Sequence, residues 1–160
     1  MSTHTAVVVW HGDGSRFTDN RYSRAHQWRF DGGAVVPASS SPHVVRVPLS
    51  DPAGVDPEEA YVAALSSCHM LWFLSLAAEA GVAVETYRDE ALGMMAKNEA
   101  EKEWVARVVL RPHVVLRSGT TVATVDDATI EALHHRAHEE CFLANSVRTE
   151  VVVEGTVGRS

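Results

Sequence analysis

Two cysteines are the residues in this chain best suited to chemistry, and they lie far apart in sequence. Cys68 sits in the apolar stretch Ala63-Ala64-Leu65-Ser66-Ser67-Cys68-His69-Met70-Leu71, and Cys141 closes the segment His138-Glu139-Glu140-Cys141. A thiol in a helix is ordinarily a small hydrophobe. A pair of thiols on two separate helices can instead be a nucleophile and the group that resolves it. Two cysteines are no disulfide framework, and a reducing compartment keeps both as thiols unless they react by design.

The elements that must position these thiols follow from the pattern. Asp56 is an N-cap, Pro57 suits the first helical position, and Glu59 completes a capping box. Gly81 is the natural stop. Between them, residues 60–80 carry few charges and apolar side chains on every side, so a helix buried all round is expected, at the centre of the molecule or of an oligomer. Asp126-Asp127 starts a second helix whose Ile130, Leu133, Ala137 and Cys141 recur on one face.

Strands are expected at residues 7–10 and 21–30, with Asp31-Gly32-Gly33 turning the chain into short strands at 34–36 and 44–47, a meander at the amino-terminal end. Residues 87–97 and 104–117 predict two long strands joined by a charged turn into a hairpin, with Pro112 demoting part of the second to an edge or a bulge. Residues 147–157 predict a closing strand. The order of strands, helix, hairpin, helix and strand indicates an α+β domain.

Length and composition bound the answer. A chain of 160 residues can bury one substantial core, so a single domain over 1–160 is expected. The 46% apolar and 22% charged content belongs to an ordinary globular protein. A net charge of −7 with scattered basic residues disfavours nucleic acid as a partner. The amino terminus lacks a basic flank, and its apolar run is shorter than a signal core or a membrane span, so a cytoplasmic location and no membrane association are expected.

The motifs Asp56-Pro57-Glu58-Glu59, Ala63 to Cys68, and Ala137-His138-Glu139-Glu140-Cys141 followed by Asn145-Ser146 resemble the OsmC/Ohr family of thiol-dependent peroxidases, which reduce organic hydroperoxides. Arg24-Ala25-His26, Asp31-Gly32-Gly33 and Cys68-His69-Met70-Leu71 point to its OsmC-like branch. The resemblance implies an OsmC-like α+β fold, with antiparallel sheets around two central helices and an intertwined homodimer.

It implies further that Cys68 is the peroxidatic thiol and Cys141 the resolving one. An arginine would lower the Cys68 pKa and steady the departing alkoxide, with Glu58 orienting that arginine. Arg24 matches the position used in the hydroperoxide resistance branch and is placed first; Arg46 is the alternative, nearer the helix. No bound cofactor is implied. The reductant would be an external dithiol, which the family suggests is a lipoylated protein or dihydrolipoamide. Many relatives have Pro directly after the second cysteine, where this chain has Phe142, and the hydroperoxide branch has Phe where His69 follows Cys68.

Helix dimensions add a constraint. Glu58 and Cys68 are ten positions apart, roughly 15 Å along one regular helix. A catalytic Glu58 therefore needs an unwound first turn or a partner subunit, and a twofold dimer whose interface completes each site is expected.

Two other readings use the same residues. His134 and His138, with Cys141 one turn on and Cys68-His69 as possible further ligands, have the types for zinc. A binding protein with the same fold, a pocket lined by Trp28, Trp72, Phe73 and Phe142, and little turnover is the other.

Overall fold

A computed structural model describes residues 2–14, 17–117 and 125–159. The backbone gathers into two compact units, Met1–Ala60 and Tyr61–Ser160. In the first, β1 (Ala6–Val9), β2 (His26–Phe30) and β3 (Val35–Ala38) form an antiparallel meander in the order β1-β2-β3. Gly33 supplies the positive φ of +87° at the β2–β3 turn, where only glycine is unstrained.

Two expectations for this unit are corrected. β2 starts at His26, not Arg21, because the preceding backbone bonds elsewhere: the Arg24 N–H donates to the Leu49 carbonyl at 2.8 Å. Residues 44–47 form turns, not a strand, with the amides of Val44 and Val45 both donating to the Ser41 carbonyl.

The first helix, α1 (Pro57–Glu79), opens on the expected capping box. The Glu59 N–H donates to the Asp56 carboxylate at 2.8 Å, and the Asp56 N–H donates to the Glu59 carboxylate at 3.1 Å. At the other end Gly81 takes a φ of +72°, and the Val82 N–H reaches back to the Ala77 carbonyl at 2.8 Å. That is a Schellman closure, and it satisfies a carbonyl the helix would otherwise leave bare.

In the second unit each long strand expected from the sequence is broken once. The first becomes β4 (Val84–Asp89) and β5 (Leu92–Lys97), the second β6 (Glu103–Leu110) and β7 (Pro112–Leu116), the last β8 (Glu150–Val153) and β9 (Thr156–Arg159). The halves sort into two sheets, β4-β7-β9 and β5-β6-β8. Hydrogen bonds fix the breaks: the Arg111 N–H donates to the Asp89 carboxylate at 2.6 Å, and the Glu154 N–H to the Leu110 carbonyl at 2.8 Å. Pro112, which cannot donate to a ladder, is therefore the first residue of a middle strand and not part of an edge. The sheets are also mixed, not wholly antiparallel, since β6 pairs with β8 and β7 with β9 in parallel.

The helix α2 (Asp127–Glu140) starts at Asp126, whose carboxylate accepts from the Thr129 N–H at 2.8 Å. Its expected stripe is buried: Ile130, Leu133 and Ala137 join Phe73, Leu76, Ala77, Val82 and Val114 in one apolar cluster. By contrast α1 is not covered all round. Leu65, His69, Phe73, Leu76 and Ala77 form its one buried face, while Ala63, Ala64, Ser67, Leu71, Ser75 and Ala78 are exposed in the single chain. By length and composition α1 could also cross a membrane, but its buried face is part of the core clusters.

Candidate active site

Cys68 lies in the middle of α1, next to the buried face, and its side chain is partly open to solvent. Cys141 is the residue at which α2 stops. Its φ and ψ of −64° and 110° are extended, so it ends the helix instead of lying within it. Three groups beyond hold this end. The Ala144 N–H donates to the Cys141 sulfur at 3.4 Å, and the Cys141 carbonyl accepts from both the backbone N–H and the side-chain amide of Asn145 at 3.0 Å. Asn145 also donates to the Glu139 carbonyl at 2.7 Å, so this side chain works as a helix stop.

The two thiols are neighbours. Cys68 and Cys141 lie close enough within one chain for the Cys68 sulfur to act on Cys141, and both are unbridged. Cys141 is buried, at 1% exposure. Burial pushes its pKa up, the Ala144 amide pulls it back in part, and the Cys68 sulfur raises it further. Cys141 is accordingly held as a thiol at neutral pH, beside a more accessible partner sulfur.

A buried histidine pair, two of the candidate zinc ligands, stands beside these thiols. His69 and His134 are both buried, and His69 Nε2 lies 3.0 Å from His134 Nδ1. Phe73, one turn beyond His69, stacks on the His134 ring with centroids 4.2 Å apart. Burial, and then the facing His134 and His138, lower the His69 pKa from 6.5 to about 3; burial lowers that of His134 to about 4. Both rings are neutral at physiological pH. His134 was legible as a core position, since it continues the spacing of Ile130 and Cys141, but its pairing with His69 needs the packing of α1 on α2. Among the described residues no group of three or more His, Cys, Asp or Glu is placed to hold a metal ion. The histidines a zinc site would draw on direct ring nitrogens at each other.

Arg24, Arg46 and Glu58 belong to the first unit. The Arg24 guanidinium donates to the Asn20 carbonyl at 3.1 Å, to the Asn20 side-chain oxygen at 2.7 Å and to the Tyr22 carbonyl, and it lies 3.8 Å over the Tyr22 ring. It is spent on its own loop. Arg46 is exposed in a turn, and its guanidinium makes no hydrogen bond or ion pair among the described residues. Glu58 is half-buried in the first turn of α1, outside the capping box, and its carboxylate likewise has no partner among the described residues. α1 is helical from Pro57, so an unwound first turn is not present.

The sequence model of the OsmC-like protein family matches residues 50–155, more than half the chain and both cysteine segments. The chain belongs to this family. An OsmC-like protein of unknown function from Vibrio cholerae is 56% identical over 98% of this chain and 100% of that one, with a TM-score of 0.92. An organic hydroperoxide resistance protein OsmC from Legionella pneumophila is 16% identical, covering 99% of each chain at a TM-score of 0.63. The organic hydroperoxide resistance protein OhrB of Bacillus subtilis is 18% identical, covering 96% of this chain and 98% of its own at 0.57. These last two likenesses establish the OsmC-like fold alone. No curated protein matches the sequence.

The buried imidazoles of this OsmC-like chain have a consequence for stability. Below pH 6.5 the unfolded chain takes up protons that the folded chain refuses, until about 4 and 3 are reached. Stability should therefore fall as the pH drops through that window, by up to about 1.4 kcal/mol per pH unit for each histidine. Urea unfolding from pH 7 to 4 should show this slope, and replacing both histidines by leucine should flatten it. An equally steep profile in that variant would contradict the assignment.

Proposed function

We propose that this OsmC-like protein is a thiol-dependent peroxidase that reduces organic hydroperoxides to alcohols in the cytoplasm. The observation that carries the reading is the contact between a partly open Cys68 and a buried, protonated Cys141. The Cys68 thiolate attacks the distal oxygen of ROOH, the O–O bond breaks, and the alkoxide takes up a proton to leave as ROH. The resulting Cys68 sulfenic acid is attacked by the Cys141 sulfur. An S–S bond forms, and the hydroxyl leaves with the Cys141 proton as water. An external dithiol, of the dihydrolipoamide or lipoylated-protein type, then gives up two electrons and two protons to restore both thiols.

Of the two arginines proposed to serve Cys68, Arg46 is unengaged among the described residues, whereas Arg24 donates to Asn20 and Tyr22. Glu58 is the carboxylate proposed to orient it. Because α1 is regular from its first turn, the Glu58 that serves each Cys68 is assigned to a second subunit. The uncovered small and apolar face of α1, including Ala63, Ala64, Leu71 and Ala78, supports a twofold dimer. Sedimentation as a dimer at micromolar concentration is the expected result, and a monomer there would defeat this part of the proposal.

The chemistry itself is tested by titrating thiols before and after one equivalent of tert-butyl hydroperoxide. The unaltered chain should lose both thiols. Cys68→Ser should lose none, and Cys141→Ser should lose one and trap a dimedone-reactive sulfenic acid. Thiols left unchanged in the unaltered chain would instead favour a binding protein with this fold.

A further inference from the structure

We infer that His69 and His134 are positioning residues for the dithiol: their hydrogen bond sets the register of α1 against α2 that brings the Cys68 and Cys141 sulfurs together. The inference rests on Cys68 and Cys141 acting as a dithiol pair, whatever oxidant they serve.

His69 directly follows Cys68 on α1, and His134 lies seven residues before Cys141, two turns earlier along the same side of α2. The contact His69 Nε2 to His134 Nδ1, at 3.0 Å, thus ties the helices beside the sulfurs. His138 also faces His69, and beside these groups Phe73, Leu76 and Ala77 of α1 share one apolar cluster with Ile130, Leu133 and Ala137 of α2. Apolar contacts are non-directional and tolerate a slide or a rotation of one helix on the other. A buried hydrogen bond does not, because displacing it strands polar atoms in hydrocarbon.

Energetics point the same way. Besides the bonded pair of nitrogens, His69 Nδ1 and His134 Nε2 are buried with no protein partner among the described residues. Such a pair is a poor source of stability, and two leucines would serve the core at least as well. Polar groups kept at a cost in stability are best attested where they specify register. The ring of His134 is also fixed from other sides. Phe73 stacks on it, and at Gly155, the break between β8 and β9, a Cβ would come within 2.9 Å of its Cδ2 and Nε2 atoms. The absence of a side chain at Gly155 lets His134 stand where His69 can reach it.

The test reads the dithiol without any peroxide, so it remains informative if the peroxidase reading fails. The 160-residue chain is equilibrated with oxidised and reduced dithiothreitol, and disulfide is counted by the mass shift on alkylation. Forming it moves two electrons and two protons from Cys68 and Cys141 to the reagent's disulfide. His69→Gln keeps a donor at the Nε2 position and should stay within about twofold of the unaltered equilibrium constant, whereas the double variant His69→Leu with His134→Leu should lower it about five- to tenfold, the equivalent of one buried hydrogen bond. The double variant should melt no lower than the unaltered chain, which separates positioning from support of the fold. Gly155→Ala, which drives a methyl against the His134 ring, should lower the constant with both histidines present. A double leucine variant that forms its disulfide as readily as the unaltered chain would overturn the inference. Should that variant fail to fold, an unchanged constant in Gly155→Ala would overturn it instead.

Discussion

The contact between the Cys68 and Cys141 sulfurs is the interaction around which the larger unit is organised. Neither cysteine reaches the other by local structure, since one lies mid-helix in α1 and the other ends α2. Their meeting requires the two helices to be packed in one relative register. An apolar cluster drives that packing, the histidine pair gives it direction, and the Asn145 and Ala144 hydrogen bonds stop α2 where its last side chain faces the first thiol.

The two sulfurs differ in environment, and the difference supports the parts proposed for them. Cys141 is buried, and its neighbouring sulfur discourages a second negative charge beside it. Cys68 has the access that a nucleophile needs. An attacking thiol in reach of solvent and a protonated thiol waiting behind it make an arrangement suited to stepwise oxidation, because the second sulfur is protected until the first has changed.

Much of this was legible in the chain. Asp56, Pro57 and Glu59 announce a helix start through their own side-chain chemistry, and the same two hydrogen bonds appear in the structure. The stripe Ile130, Leu133, Ala137 and Cys141 marks the buried face of α2 because helical periodicity alone determines it. The breaks at Glu90-Ala91, Arg111 and Glu154-Gly155 were legible only at Pro112, which marked a disturbance in the second strand. The bonds that define them join residues distant in sequence, such as Asp89 to Arg111. The histidine pair was hidden for the same reason: His69 and His134 are 65 positions apart, and neither carries a local signal of its partner. For Arg24, the strand pattern of residues 21–30 concealed a loop in which the guanidinium is consumed by Asn20 and Tyr22.

The claim that these two thiols form one working pair is tested most directly by peptide mapping of the native protein after brief exposure to one equivalent of an organic hydroperoxide. The account expects a single species in which the Cys68 and Cys141 peptides are joined with the loss of two hydrogens. Sulfinic or sulfonic acid on Cys68 with Cys141 still a free thiol would contradict it.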